Sequence, residues 1–374
     1  MQGDEACAEG AIAAGCNYFA GYPITPASEI MHHICYRFAE LRERGEHRVF
    51  IQMEDEIASI ASCIGASWAG AKAMTATSGP GLSLMLENIG YAIGTETPVV
   101  IVDVQRAGPT TGQATRPAQG DMLQARFGAH GDYEIIALSP WSVQEMYELT
   151  IRAFNLAERF RVPVFVLADE AVGHLRESLV IPPKVRVYNR AKPMGREPPF
   201  GGRGAPSEIP EVPPMPAFGE GHKLLVTGST HDEWGYRHTS DPQVQARLVA
   251  RLSSKILNHL DEIVEVDERF CEGELDVLVI AYGFTARSAW AAVKRAREEG
   301  MRSGLLRLKT IWPFPGEPVR RLAQRARSVL VPEMNLGQIL REVQRIVPEA
   351  RGCNKTDGEV ITPGEILAEM GKYP

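Results

Sequence analysis

The sequence predicts an α/β protein: a parallel, doubly wound sheet followed by a second α/β domain. Three observations predict it. Short runs of apolar and β-branched residues alternate with stretches of helical period, the pattern of a parallel sheet covered on both faces. Turns rich in glycine and proline follow several of those runs, where strand hands over to helix. A proline-dense stretch then divides the alternation in two, since ten of the chain's 26 prolines fall within residues 182–222.

Taken in order, the first half predicts strands at 18–24, 48–53, 72–77, 98–104, 133–138 and 162–169. Helices are expected between them at 26–44, 55–69, 81–94, 119–128 and 142–160. Ser142 followed by Glu145 has the spacing of a capping box and marks the last of these starts. The proline-dense segment reads as a long, partly extended connector. Proline lowers the entropy lost on docking, so such an arm suits lying along a partner surface. Beyond it, strands are expected at 223–228, 276–283, 303–311 and 328–334, with helices at 242–260, 284–299, 316–326 and 336–346. This gives a first domain over 1–181, a connector over 182–222 and a second domain over 223–374. No repeat of solenoid period is present.

Composition narrows the function. With 44% apolar and 23% charged residues over 374 positions, the chain is globular in type and long enough for two cores. A formal net charge of −7 argues against nonspecific nucleic-acid binding and against docking on anionic lipid. No apolar run approaches the ~20 residues a bilayer span needs, so membrane insertion is not expected. The start, "MQGDEACAEG", is acidic where a targeting peptide would be basic, which places the chain in the cytoplasm. Cys7, Cys16, Cys35, Cys63, Cys271 and Cys353 are scattered singly, without a C-x-x-C pair. They read as small hydrophobes rather than metal ligands, cluster ligands or a disulfide framework.

Four stretches carry possible chemistry. "GYPITP" (21–26) closes the first strand, where open α/β sheets gather ligands. Pro23 and Pro26 flank Thr25, whose hydroxyl either caps the next helix or faces a ligand. In "MEDEIA", Glu54, Asp55 and Glu56 stand at a helix start, where carboxylates complement the helix dipole. Glu56 differs, because it opens a thin helix of Ala, Ser, Gly and Ile that would bury it; burial raises a carboxyl pKa and the helix start opposes the rise. "TATSGPG" is a close-approach turn before a helix, without the Gly-Lys-Ser/Thr ending of a Walker loop. The loop 105–121 places Arg106 at a strand end among Thr110, Thr111 and Thr115. Arg106 suits bidentate capture of a carboxylate, or else a structural pair with Asp103, Asp121 or Asp132.

Together and in this order, "FAGYPITPASEI", "QMEDEIASI", "AMTATSGPG" and "VQRAGPTTGQATR" resemble the alpha subunit of 2-oxoacid:ferredoxin oxidoreductases, nearest to the 2-oxoglutarate type. "YGFTARSAWAAV", "LKTIWPFP" and "VPEMNLGQ" extend the resemblance over nearly the whole chain apart from the connector. It implies a thiamine diphosphate pyrimidine-binding domain followed by a transketolase C-terminal-like domain. It further implies that Glu56 hydrogen-bonds N1′ of the cofactor's aminopyrimidine, so that the neighbouring amine can take the proton from the thiazolium carbon. Pro23, Ile24, Thr25, Ser78 and Gly79 would lie along the cofactor, with Thr25 near the reacting centre. Arg106 and Thr115 would hold the substrate carboxylate. No Gly-Asp-Gly motif for Mg²⁺ and diphosphate occurs in the sequence ("GDM" and "GDY" break it), and metal ligands in this chain are not expected.

The resemblance therefore assigns the diphosphate and Mg²⁺ half-site and the 4Fe-4S clusters to partners: a beta subunit, a gamma subunit and a possible ferredoxin-like delta subunit. Ferredoxin would accept the electrons and CoA would be co-substrate. The implied reaction is 2-oxoglutarate + CoA + two oxidised ferredoxins → succinyl-CoA + CO₂ + two reduced ferredoxins. The alternatives are the same chemistry on pyruvate, branched-chain or aryl 2-oxoacids, a non-redox thiamine enzyme of the acetolactate synthase kind, and a scaffold subunit without catalysis. His231 and His238 read as connector or interface residues rather than a metal site, Glu333 and Asn335 as capping and interface residues with an option on cofactor contact.

Overall fold

The computed structural model describes residues 1–201 and 211–372. Its first half runs α1 (Gly3–Ala13), β1 (Tyr18–Gly21), α2 (Ser28–Glu43), β2 (Val49–Gln52), α3 (Glu56–Trp68), β3 (Ala73–Thr77) and α4 (Gly79–Gly94). There follow β4 (Val99–Ala107), β5 (Gln113–Pro117), α5 (Met122–Phe127), β6 (Ile136–Leu138), α6 (Val143–Phe160), β7 (Pro163–Asp169) and α7 (Glu170–His174). After the connector come α8 (Pro242–Leu257), α9 (Leu260–Ile263), β8 (Val266–Arg269), β9 (Leu275–Ala281), α10 (Gly283–Glu298), β10 (Ser303–Leu308) and β11 (Thr310–Trp312). The chain ends in α11 (Gly316–Ala323), β12 (Ala326–Glu333), α12 (Gln338–Gln344), β13 (Arg351–Asn354) and α13 (Pro363–Met370).

The first sheet has the order β11-β6-β7-β4-β3-β1-β2, with β5 folded back on β4. Its central strands are parallel and buried on both faces, which is why they read as unbroken apolar runs. Alternate residues divide between two cores. Val100, Val102, Val164 and Val166 pack under α1, α2 and α6, while Val99, Ile101, Phe165 and Leu167 pack under α3 and α4. The second sheet, β13-β12-β9-β10-β8, is parallel except for β8 at its edge. Leu278, Ile280, Leu306 and Val331 on one of its faces join the α3–α4 core, so the two sheets share apolar contents.

Most expected elements stand within two or three residues of their places. Ser142 caps α6 as its spacing predicts, accepting the Glu145 N–H at 3.2 Å. Two expectations are corrected. Residues 223–228 run as extended chain without a ladder; Leu224 and Val226 still pack on the core, which explains their alternating pattern. The expected strand 303–311 is two strands: after Leu308 the chain leaves the second sheet, and Thr310 pairs with Leu138 of the first. The helix α1 was not anticipated. Its Ala- and Gly-rich face is buried on nearly all sides, and it lies so close to α6 that a Cβ on Gly10 would stand 2.5 Å from the Tyr147 carbonyl. Residues 242–257 form α8, which is bound to the first sheet's loops through Glu96, and the second sheet starts at Val266. Cys7, Cys16, Cys63 and Cys271 are buried, and all six cysteines are unbridged.

Candidate active site

Because β1, β2, β3 and β4 are parallel, their carboxyl ends share one edge of the sheet: Gly21 stands beside Gln52, and Thr77 beside Asp103. The chain segments leaving those ends carry the expected site residues.

The acidic triplet separates by burial. Glu54 and Asp55 are exposed, and Asp55 caps α3 by accepting the Ala58 N–H at 2.7 Å. Glu56 opens the helix and is 5% exposed. Its carboxylate rests against the first turn of α4, where a Cβ on Gly81 would lie 2.5 Å from Glu56 Oε1 and 2.2 Å from Thr77 Oγ1. Only glycine leaves room for it. Burial raises its pKa, its own backbone N–H opposes the rise and the Asp55 charge adds to it. Ser78, which precedes the same turn, and Thr77 are fully buried with hydroxyls that have no partner among the described residues. Buried polar atoms left open in this way call for a ligand that satisfies them. The set fits an aminopyrimidine: a dry carboxylate for a ring nitrogen, beside a turn stripped of side chains.

Thr25 is exposed, while Pro23 and Ile24 are half-buried. The cap reading of Thr25 is corrected: α2 begins at Ser28 with Ala27 at its N-cap, because the Ala27 N–H closes a separate turn on the Ile24 carbonyl at 2.9 Å. The Thr25 carbonyl instead accepts Arg106 Nη1 at 2.7 Å. Arg106, on β4, is 9% exposed, and its Nε has no partner among the described residues. The structural pairing with an acid is not what the fold builds. Asp132 is exposed, and no ion pair joins Arg106 to an acid among the described residues; its charge acts on the half-buried Asp121 through space, and the buried Asp103 beside it has no hydrogen-bond partner there. Thr115 sits exposed on β5, in the hairpin that returns antiparallel along β4.

A cavity of about 580 Å³ lies between this edge and the second domain, lined among others by Gly79, Arg106, Thr110, Asp121, Asn335 and Arg341. Its far wall is fixed by a buried polar network. Gln119 Nε2 reaches Asp169 and the Tyr282 carbonyl at 3.1 Å each, and Asn335 Nδ2 donates to the Gln119 carbonyl at 2.6 Å. Glu333 accepts Tyr282 Oη at 2.7 Å and the Ile339 and Leu340 N–H groups, while Asn335 Oδ1 accepts those of Gly337 and Gln338. Glu333 and Asn335 are thus cap and interface residues, and Asn335 also borders the cavity. His231 bonds the Ser229 carbonyl and packs at a tilt against Phe200, and His238 pairs with Asp232, so neither shares a ligand set with the other.

Asp103 and Asp121 are the site feature whose pairing sequence reading missed, although an acid inside the otherwise apolar run "PVVIVDV" was a visible signal. Asp121 also stands 3.3 Å from where a Cβ of Gly79 would be. Burial raises both carboxyls, and their mutual repulsion keeps a proton on the pair. A raised folded-state pKa contributes stability at acid pH that is lost as pH climbs through it. Asp103→Asn keeps the shape without the second charge, so its melting temperature should fall less than the parent's from neutral to alkaline pH. Equal slopes in thermal melts would remove the shared proton.

Comparison with known proteins gives the chain a family. The family model described as "Pyruvate flavodoxin/ferredoxin oxidoreductase, thiamine diP-bdg" matches residues 9–251, and "Pyruvate:ferredoxin oxidoreductase core domain II" matches residues 275–366. The 2-oxoglutarate synthase subunit KorA of Methanothermobacter marburgensis is 53% identical over 373 residues, 99% of this chain and 97% of that one. The ketoisovalerate oxidoreductase subunit VorB of Methanothermobacter thermautotrophicus is 35% identical, over 99% of this chain and 96% of that one. Among solved structures, the 2-oxoglutarate:ferredoxin oxidoreductase of Magnetococcus marinus, determined with 2-oxoglutarate, coenzyme A and succinyl-CoA bound, superposes with a TM-score of 0.91 at 33% identity. The match covers all of this chain and 64% of that one, so the chain spans about two thirds of the solved protein's length.

Proposed function

Because this chain belongs to the pyruvate flavodoxin/ferredoxin oxidoreductase family, we propose that it is the alpha subunit of a 2-oxoglutarate:ferredoxin oxidoreductase. The complex converts 2-oxoglutarate and CoA to succinyl-CoA and CO₂ and passes two electrons to ferredoxin. Greater identity to a 2-oxoglutarate synthase subunit than to a ketoisovalerate one favours that substrate over a branched-chain acid. The observation that carries the reading is the Glu56 carboxylate, buried at the start of α3 against Gly81 and Thr77.

Thiamine diphosphate, when bound, supplies the carbon that attacks the keto group and stores the electrons released on decarboxylation. Glu56 would hold the hydrogen bond at N1′ of its aminopyrimidine, in a pocket where little water competes. Pro23, Ile24, Ser78 and Gly79 would line the ring, and the buried Ser78 hydroxyl is free to bond to it. Arg106 would take the substrate carboxylate with its unpartnered edge while Nη1 holds the Thr25 carbonyl, so substrate capture and the placing of Thr25 share one side chain. Thr115 would reach the same carboxylate from β5. The diphosphate and Mg²⁺ half-site and the 4Fe-4S clusters belong to the beta subunit and a ferredoxin-like delta subunit, with a gamma subunit completing the assembly in the cytoplasm.

The test is reduction of a viologen dye by the anaerobically purified complex, comparing 2-oxoglutarate with pyruvate, branched-chain and aryl 2-oxoacids in the presence of CoA. Preference for 2-oxoglutarate supports the proposal. Activity with another acid alone keeps the chemistry and rejects the substrate, and inactivity of an intact, cofactor-loaded complex rejects catalysis. Arg106→Gln should raise KM for the 2-oxoacid about 10- to 100-fold, the worth of a hydrogen-bonded charge. An unchanged KM would free Arg106 from carboxylate capture.

A further inference from the structure

On the other side of the Thr25 loop, three side chains from separate elements converge: Asp4 of α1, Glu29 of α2 and His174 at the end of α7. Asp4 is fully buried, and neither of its carboxylate oxygens has a hydrogen-bond partner among the described residues. It fits there because Gly173 has no side chain; a Cβ at that position would lie 2.8 Å from Asp4 Oδ1. His174 Nε2 stands 3.8 Å from Asp4 Oδ2 and 3.7 Å from Glu29 Oε2, and one ligand atom from each of the three residues lies within 4.8 Å of the others. We infer that Asp4, Glu29 and His174 form a divalent-cation site that ties the N-terminal helix to the loop carrying Thr25.

The spacing supports a cation rather than a direct bond. A carboxylate bonded to an imidazole stands about 2.7–2.9 Å away. Two ligands at ~2.1 Å from one tetrahedral cation stand roughly 3.4 Å apart, within a few tenths of an ångström of the two separations from His174 Nε2. His174 is also oriented as metal-bound histidines are: its Nδ1 meets Glu170 Oε1 at 3.2 Å, leaving Nε2 toward the two carboxylates. Without an ion, Nε2 donates to the Pro26 carbonyl at 3.2 Å, a hydrogen bond that a bound cation would replace. One nitrogen with carboxylate oxygens suits Zn²⁺ or Mn²⁺. His174 and Glu29 are partly exposed, which leaves a path from solvent.

The groups facing the site are Asp4, Glu5, Glu29, Glu170 and His174. Pro26 follows Thr25, and Glu29 lies in the first turn of α2, so an ion here would fix the loop from behind while Arg106 holds it in front.

The experiment uses the native complex, stripped with chelator and desalted anaerobically, then titrated with Zn²⁺ and followed by elemental analysis and by thermal melts. Glu29→Gln, at a half-exposed position, tests the site without disturbing the core; His174→Gln is the second variant. One Zn²⁺ per chain beyond what the variants bind, with affinity at least about tenfold weaker in each variant and a melting rise confined to the parent, supports the site. Zn²⁺ uptake equal in parent and both variants places any ion elsewhere and overturns it, as does the absence of uptake. Neither result bears on the oxoacid chemistry, which the dye assay reads separately.

Discussion

Glu56→Gln will slow oxoacid-dependent dye reduction by about 10²- to 10⁴-fold, the usual worth of a positioned proton-transfer group, while the complex assembles with normal stoichiometry. The substitution is nearly isosteric, so the narrow contact with Gly81 and Thr77 survives it. What disappears is the charge. A neutral amide at the same place cannot stabilise a protonated ring nitrogen, so the loss should fall on kcat rather than on KM for the 2-oxoacid. Burial already raises the Glu56 pKa, and the pocket tolerates a neutral side chain without loss of fold. Steady-state kinetics beside size-exclusion chromatography separates the two effects. Turnover within a few-fold of the parent would remove Glu56 from catalysis. The companion change Gly81→Ala puts a methyl 2.5 Å from Glu56 Oε1 and should lower kcat through displacement of that carboxylate.

How far the sequence could be read follows from the range of each signal. Strands such as β4 and β7 were plain because burial on both faces leaves unbroken apolar runs, and Ser142 marked its helix because a cap and its partner lie three residues apart. The three acids before α3 were visible as a group, yet only the approach of Gly81, 25 positions away, decides that Glu56 is the buried one. Local patterning could not anticipate α1, whose Ala- and Gly-rich turns lack a polar face because both α2 and α6 cover it. Nor could it tell that 223–228 packs without a ladder, since alternation reports burial on one side and not the presence of a neighbouring strand. The same limit hides Gln119, whose partners Tyr282, Thr285 and Asn335 come from the other domain, and the meeting of Asp4, Glu29 and His174.

The largest stability effect should come from another long-range feature, Glu96. This residue lies fully buried between α4 and β4, and it accepts two hydrogen bonds from Arg251, at 2.8 and 2.6 Å, and one from Lys255 at 3.0 Å. Its carbonyl takes Arg161 Nε, and Arg161 Nη1 donates to the Pro199 and Pro213 carbonyls of the connector. The Glu96 carboxylate thus pins α8 to the first domain through two buried cations, while its carbonyl positions a third, Arg161, which holds the proline-rich arm. Burial would raise the Glu96 pKa, but Arg251 and Lys255 overcome it and hold the carboxyl well below its usual range. Lys255 is lowered to about 8, because burial and the neighbouring guanidiniums outweigh its share of the one anion.

Glu96→Gln keeps the size and the left-handed backbone at φ 50° but removes the carboxylate that pairs with Arg251 and Lys255, so it should cost about 3–5 kcal/mol in denaturant unfolding. Its pH signature distinguishes the loss of charge from a packing defect. A depressed carboxyl contributes stability above its unfolded pKa and loses it as pH falls through the folded value, so the parent should weaken in acid where the variant stays flat. Adding Lys255→Met to Glu96→Gln removes one stranded cation and should recover part of the loss. No recovery, with parent and variant equally sensitive to acid, would mean that shape rather than charge holds α8 against the first domain.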